Sequence, residues 1–164
     1  MSKTPLTLFG LFVVVVAIVV YLAFVNEGSE SAATVPVEEA DAEAQEIFAT
    51  NCGTCHTLAA GGTDGLVGPN LDDLLGRSFA PPTGDAEQAN RDTFEATYLQ
   101  VLNAIVCGIE GRMPKGILQG EEAKEVAGFV AAYAGQLSPD QGPLVPASER
   151  ETPDPQPCEG AGSS

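Results

Sequence analysis

Two cysteines with a histidine directly after the second are the residues best equipped for chemistry in this chain: Asn51-Cys52-Gly53-Thr54-Cys55-His56. The C-x-x-C-H pattern attaches haem c. Two thiols one helical turn apart lie on one face and can each add to a haem vinyl group. The next residue then turns its imidazole toward the iron. A thioredoxin-like redox pair needs a βαβ surrounding, and no such pattern flanks the motif. A zinc site needs further Cys or His nearby, and His56 is the only histidine among 164 residues. Covalent haem c, one group held through Cys52 and Cys55, is the chemistry the motif points to. With no second histidine, the other axial position falls to Met113, Met1, Cys107, Cys158 or solvent. Met113 sits in Gly111-Arg112-Met113-Pro114-Lys115-Gly116, a Gly/Pro-framed loop and not an apolar helical stripe. A methionine that fills a core normally sits on such a stripe, so Met113 is the expected second ligand of iron beside His56.

Helices must position these groups. Ala40, Ala44, Ile47 and Phe48 share one face of a first helix just before the motif. Asp92-Thr93-Phe94-Glu95 reads as the start of a second, an acidic cap with Glu three positions on. Phe94, Tyr98, Val101, Leu102 and Ile105 follow at spacings of three and four. A third begins near Glu121, buries Val126, Phe129, Val130 and Tyr133, and stops at Gly135. Residues 71–75 suggest a short fourth helix, and residues 79–91, with a Pro-Pro pair, an exposed loop. No alternating strand is evident, so the fold class is all-α. Three or four short helices in under 100 residues bury little apolar area, and a haem would supply the missing interior.

The folded segment is residues 38–135, and nearly all of it, about residues 40–135, resembles a class I cytochrome c. The resemblance rests on the Cys52–His56 motif, on Gly68-Pro69-Asn70-Leu71 with Leu74 and Gly76-Arg77, on Met113-Pro114, and on a terminal helix with Tyr133. It implies that Pro69 offers its carbonyl to the second nitrogen of the His56 ring, where an acceptor fixes tautomer and orientation. It also implies that Arg77 approaches a haem propionate, and that Phe48 and Tyr133 pack where the first and last helices cross. Ala44 departs from the family, which often has Gly at that crossing.

Residues 6–25 carry no charge; as a helix they would be about 30 Å long, the depth of a bilayer's hydrocarbon. Lys3 precedes this block and Glu27, Glu30, Glu38 and Glu39 follow it. The positive-inside rule then leaves residues 1–5 in the cytoplasm and exports the rest. The reading is a single-pass anchor in the cell membrane with the haem domain on the exported, periplasmic or extracellular, side; a long signal peptide cut near Ser31-Ala32-Ala33 is the alternative. Residues 26–37 read as a linker. Residues 136–164, holding six of the 12 prolines, read as a tail and not a second core. In an oxidising compartment the remaining cysteines, Cys107 and Cys158, are expected to pair, for roughly 3–4 kcal/mol by chain entropy.

The charge balance is 7 Lys and Arg against 23 Asp and Glu, a formal net charge of -16. Nucleic acid is excluded as a partner, because phosphate binding needs clustered cations. Closed His/Met ligation leaves no place for substrate, so the chain reads as an electron carrier and not an enzyme. It would run between a quinol-oxidising complex and a terminal oxidase or similar acceptor, partners that share its lipid bilayer. Two other readings stand beside this one: a fixed haem relay subunit of a larger respiratory complex, and a catalytic cytochrome such as a peroxidase. Arg112 and Lys115, flanking Met113, would make the haem edge locally basic on an acidic body.

Overall fold

The computed structural model describes residues 13–18, 35–76, 86–155 and 158. The chain divides into two units, Met1–Ser31 and Ala32–Ser164. In the first, residues 13–18 are helical and exposed. The rest of the expected anchor, residues 1–5 and residues 26–34 of the linker lie outside the described residues, as do residues 77–85. Among the described residues no helix is long and apolar enough to cross a membrane.

The second unit is mostly helical. After a single 3-10 turn at Glu39–Asp41 come α1 (Ala42–Asn51), α2 (Leu71–Leu75), α3 (Ala86–Cys107) and α4 (Gly120–Tyr133). The all-α expectation needs one amendment. Thr57–Leu58 (β1) and Thr63–Asp64 (β2) form a two-residue antiparallel hairpin, too short for alternation to register in the sequence. The start of α3 also differs. It lies at Ala86, so Asp92 is no cap; its carboxylate accepts from Gln88 Nε2 one turn earlier at 2.7 Å. The Arg91–Glu87 ion pair supports the same added turn, and residues 86–91 are helix where a loop was expected.

The core forms where α4 packs on α1 and α3. Val126, Ala127, Phe129, Val130, Ala131, Ala132 and Tyr133 are all buried, a wider face than the four-residue stripe of the sequence pattern. Small side chains make this possible, because α4 can be approached on several sides. Phe48 of α1 meets Phe129 with ring centroids 6.0 Å apart, and Phe129 meets Tyr133 at 5.1 Å. Phe129 thus links Phe48 to Tyr133 where the two helices cross. Ala44 and Gly128 flank a cleft of about 240 Å³ at this crossing.

The segments before and after the helices are part of the fold. Val35 is buried, so the expected linker ends one residue before it. The C-terminal tail builds no second core, but it straps across the first. Val145 is buried in the main cluster, and Leu144 donates its N–H to Ala132 O at 2.8 Å. Arg150 forks onto Asp41, with Nη1–Oδ1 at 2.5 Å and Nη2–Oδ2 at 2.9 Å. Both side chains are only 6% exposed. Tyr133 donates to the same carboxylate at 3.0 Å and accepts the Glu38 N–H at 2.9 Å. Burial, with Asp41 alongside, pushes the Tyr133 hydroxyl up to about 12, which keeps it a donor. Farther along, Tyr98 donates to Pro153 O at 3.0 Å, Lys124 pairs with Asp154 at 2.6 Å, and a disulfide joins Cys107 to Cys158.

Removing one member of a buried ion pair strands the other charge in a low-dielectric interior. Arg150→Met should therefore lower unfolding free energy by about 3–5 kcal/mol, read as a reduced midpoint in guanidinium unfolding. An unchanged midpoint would mean that the Arg150–Asp41 pair contributes nothing to stability.

Candidate haem site

The end of α1 delivers the two cysteines. Cys52 N–H bonds to Phe48 O at 2.8 Å as the helix closes, and the turn then tightens, with Cys55 and His56 N–H groups both donating to Cys52 O at 3.0 and 2.9 Å. One turn thus carries Cys52, Cys55 and His56 together. Both cysteines are free thiols, Cys52 buried and Cys55 exposed. Burial, reinforced by neighbouring Cys55, pushes the Cys52 thiol up to about 11. Catalytic and redox cysteines are tuned the opposite way, toward thiolate at neutral pH. Thioether formation would leave the sulfur of each cysteine uncharged, which suits the buried position of Cys52.

His56 is oriented from the loop that follows. Its Nδ1 lies 3.0 Å from Pro69 O. A carbonyl can only accept, so Nδ1 carries the proton and Nε2 presents its lone pair on the opposite side of the ring. Gly68 N–H donates to Cys55 O at 2.7 Å, pulling this loop against the motif. A Cβ on Gly68 would come within 2.6 Å of the imidazole Cε1, so only glycine lets the backbone lie against the ring. The intervening hairpin is stitched to the same place: Thr63 Oγ1 donates to His56 O at 2.9 Å and Thr57 Oγ1 to Gly65 O at 2.9 Å. Asn70 caps α2, its Oδ1 accepting from Asp72 N–H at 2.9 Å.

Asp72 is a member of the site's frame that the sequence pattern did not disclose. It is a buried carboxylate whose Oδ2 accepts the Ala59 N–H and whose Oδ1 accepts the Gly135 N–H, each at 2.8 Å. It thus ties the loop after His56 to the end of α4. In sequence it is one of two adjacent acids in the first turn of a helix, and nothing there separates it from Asp73.

Met113 is half-buried against the main core. It closes a tight loop with Ile109, the two residues exchanging N–H···O bonds of 2.8 Å each. Pro69 lies with its carbonyl oxygen at His56 Nδ1. Arg77 lies outside the described residues.

These residues fit a covalently held haem. Two free thiols share one turn, an imidazole commits Nδ1 and leaves Nε2 available, and aliphatic side chains in the following segment are exposed. Leu66 and Val67 are 90% and 84% exposed, and Leu74 is 53% exposed. Such side chains suit a porphyrin's apolar surface better than water. A family model described as cytochrome c matches residues 42–133. No curated protein and no solved structure matches the chain.

Replacing Asp72 with Ala would leave two part-buried N–H groups without their acceptor. The expected cost is about 2–4 kcal/mol of unfolding free energy, measured by denaturant titration. A loss below about 0.5 kcal/mol, the scale of ordinary surface substitutions, would show that water replaces the carboxylate at no penalty.

Proposed function

The chain belongs to the cytochrome c family, and we propose that it is a membrane-tethered mono-haem carrier moving single electrons between a quinol-oxidising complex and a terminal oxidase or similar acceptor. Held through Cys52 and Cys55, haem c supplies a one-electron couple at iron. The observation that carries the reading is the 3.0 Å bond from His56 Nδ1 to Pro69 O. It selects the tautomer that can ligate through Nε2 and holds the ring plane.

In this reading Met113 would supply the second ligand to iron beside His56. Its neutral thioether favours ferrous iron and raises the potential. With His56 and Met113 both engaged, no coordination position remains for a substrate, which supports a carrier over an enzyme. Arg112 and Lys115, both exposed beside Met113, give an acidic chain a local cationic rim. An acidic or apolar partner face is the better match there, since a net charge of -16 repels acidic partners elsewhere.

The tether is the uncharged block at residues 6–25. Tethering raises the effective concentration of the domain near membrane-bound partners to about the mM scale when a linker spans the gap. Residues 26–34 would form the linker, because Val35 is already buried in the fold.

Two experiments test the reading. Met113→Ala should abolish the weak long-wavelength band of ferric iron–thioether ligation. It should also lower the potential by on the order of 100 mV, well inside the ~0.8 V range that axial ligands span. A spectrum identical to the parent would remove Met113 from the iron. Deleting residues 6–25 from a chain exported by a cleavable signal should move the haem-stained band from the membrane to the soluble fraction. Its persistence in washed membranes at full amount would contradict the tether and favour a subunit held by protein contacts.

A further inference from the structure

Cys107 stands at the root of the loop that carries Met113. The last turn of α3 contains Ile105, Val106 and Cys107, and has no basic side chain to engage its terminal carbonyls. Gly108, at φ +71°, turns the chain off the helix. Ile109 then exchanges both backbone hydrogen bonds with Met113, and Gly116 N–H returns to Ile105 O at 3.0 Å and Val106 O at 3.1 Å. A Cβ on Gly108 would meet Lys115 N at 2.6 Å and Met113 O at 2.8 Å, so the loop is closed tightly over this one turn. Every backbone bond that shapes it ends within two residues of Cys107.

The sulfur of Cys107 is bonded to Cys158, 51 positions away on the C-terminal strap, with 5.5 Å between the Cα atoms. That strap is anchored independently. Arg150 is buried on Asp41, Tyr98 holds Pro153, and Lys124 holds Asp154. The root of the loop is thus fastened to a segment that is itself fastened to α3, α4 and the turn before α1. Local opening of a helix end and its loop normally costs far less than global unfolding. A cross-link to an anchored segment removes the cheapest of these openings.

We propose that Cys107 and Cys158 are positioning residues for Met113: their disulfide uses the C-terminal strap as an external brace that keeps the Met113 loop closed. The brace acts on the axial ligand only through the assignment of Met113 made above, and its effect on the loop can be read without that assignment. It also gives the half-buried Cys107 and exposed Cys158 a purpose beyond closing a long chain loop.

The test compares the full-length haem protein with its Cys107→Ser/Cys158→Ser form and with Tyr98→Phe, which loosens the strap at Pro153 and leaves the disulfide intact. Amide hydrogen exchange at Ile109, Met113 and Gly116, and the rate at which imidazole binds the ferric protein, are measured in each. The double variant should exchange about tenfold faster at these three amides and bind imidazole faster by a similar factor, while Tyr98→Phe stays within about twofold of the parent in both. Unchanged exchange at the three amides overturns the brace. Equal acceleration in Tyr98→Phe also overturns it, since the effect would then be general loosening. Met113→Ala with the disulfide intact separates the two claims. If its spectrum matches the parent while the double variant still exchanges faster, the brace stands and the ligand assignment falls.

Discussion

The hydrogen bond from His56 Nδ1 to the Pro69 carbonyl joins two loops 13 positions apart, and the surrounding architecture exists to keep those loops in register. A backbone carbonyl can only accept, so the ring nitrogen that meets Pro69 O must do so as a donor. This fixes which nitrogen remains basic. Gly68 bonding to Cys55, the two threonine hydroxyls of the hairpin, and Asn70 at the head of α2 each hold a different point of the same circuit. Loss of register by one residue would bring a side chain onto the imidazole at Gly68.

Burial of polar groups follows from the same demand. Short helices leave many backbone ends to satisfy, and a loop packed against a haem site cannot turn them all to water. Asp72 resolves two of them by receiving N–H groups from the loop after His56 and from the end of α4. Asp41 does comparable work on the far side, where its carboxylate is shared by Arg150 and Tyr133. Among the described residues these two are the buried acids, and each is met by donors. The strap that supplies Arg150 also reaches the root of the Met113 loop through Cys158, so stability and site geometry share one covalent segment.

How much of this can be read from letters alone depends on the range of the interaction. The C-x-x-C-H motif, the short helix at residues 71–75 and the terminal helix ending near Gly135 are local patterns, governed by spacing, capping and periodicity. They appear in the fold close to where the pattern puts them. The pairing of Cys107 with Cys158 was legible too, by elimination among four cysteines. The first turns of α3 were not. Ala86 to Arg91 has few apolar residues, and the Gln88–Asp92 and Arg91–Glu87 contacts that support it are invisible to a hydrophobic period.

Residue type and spacing were enough to name the cofactor, the sulfurs that hold it and the histidine beside them, because attachment is chemistry within five consecutive residues. Three-dimensional folding alone could single out Asp72 from Asp73, turn a proline-rich tail into a strap, and bury Arg150 against Asp41 across 109 positions. Those outcomes depend on which backbone groups come to lie far from water. That is a property of the packed chain, and no local stretch of it carries the information.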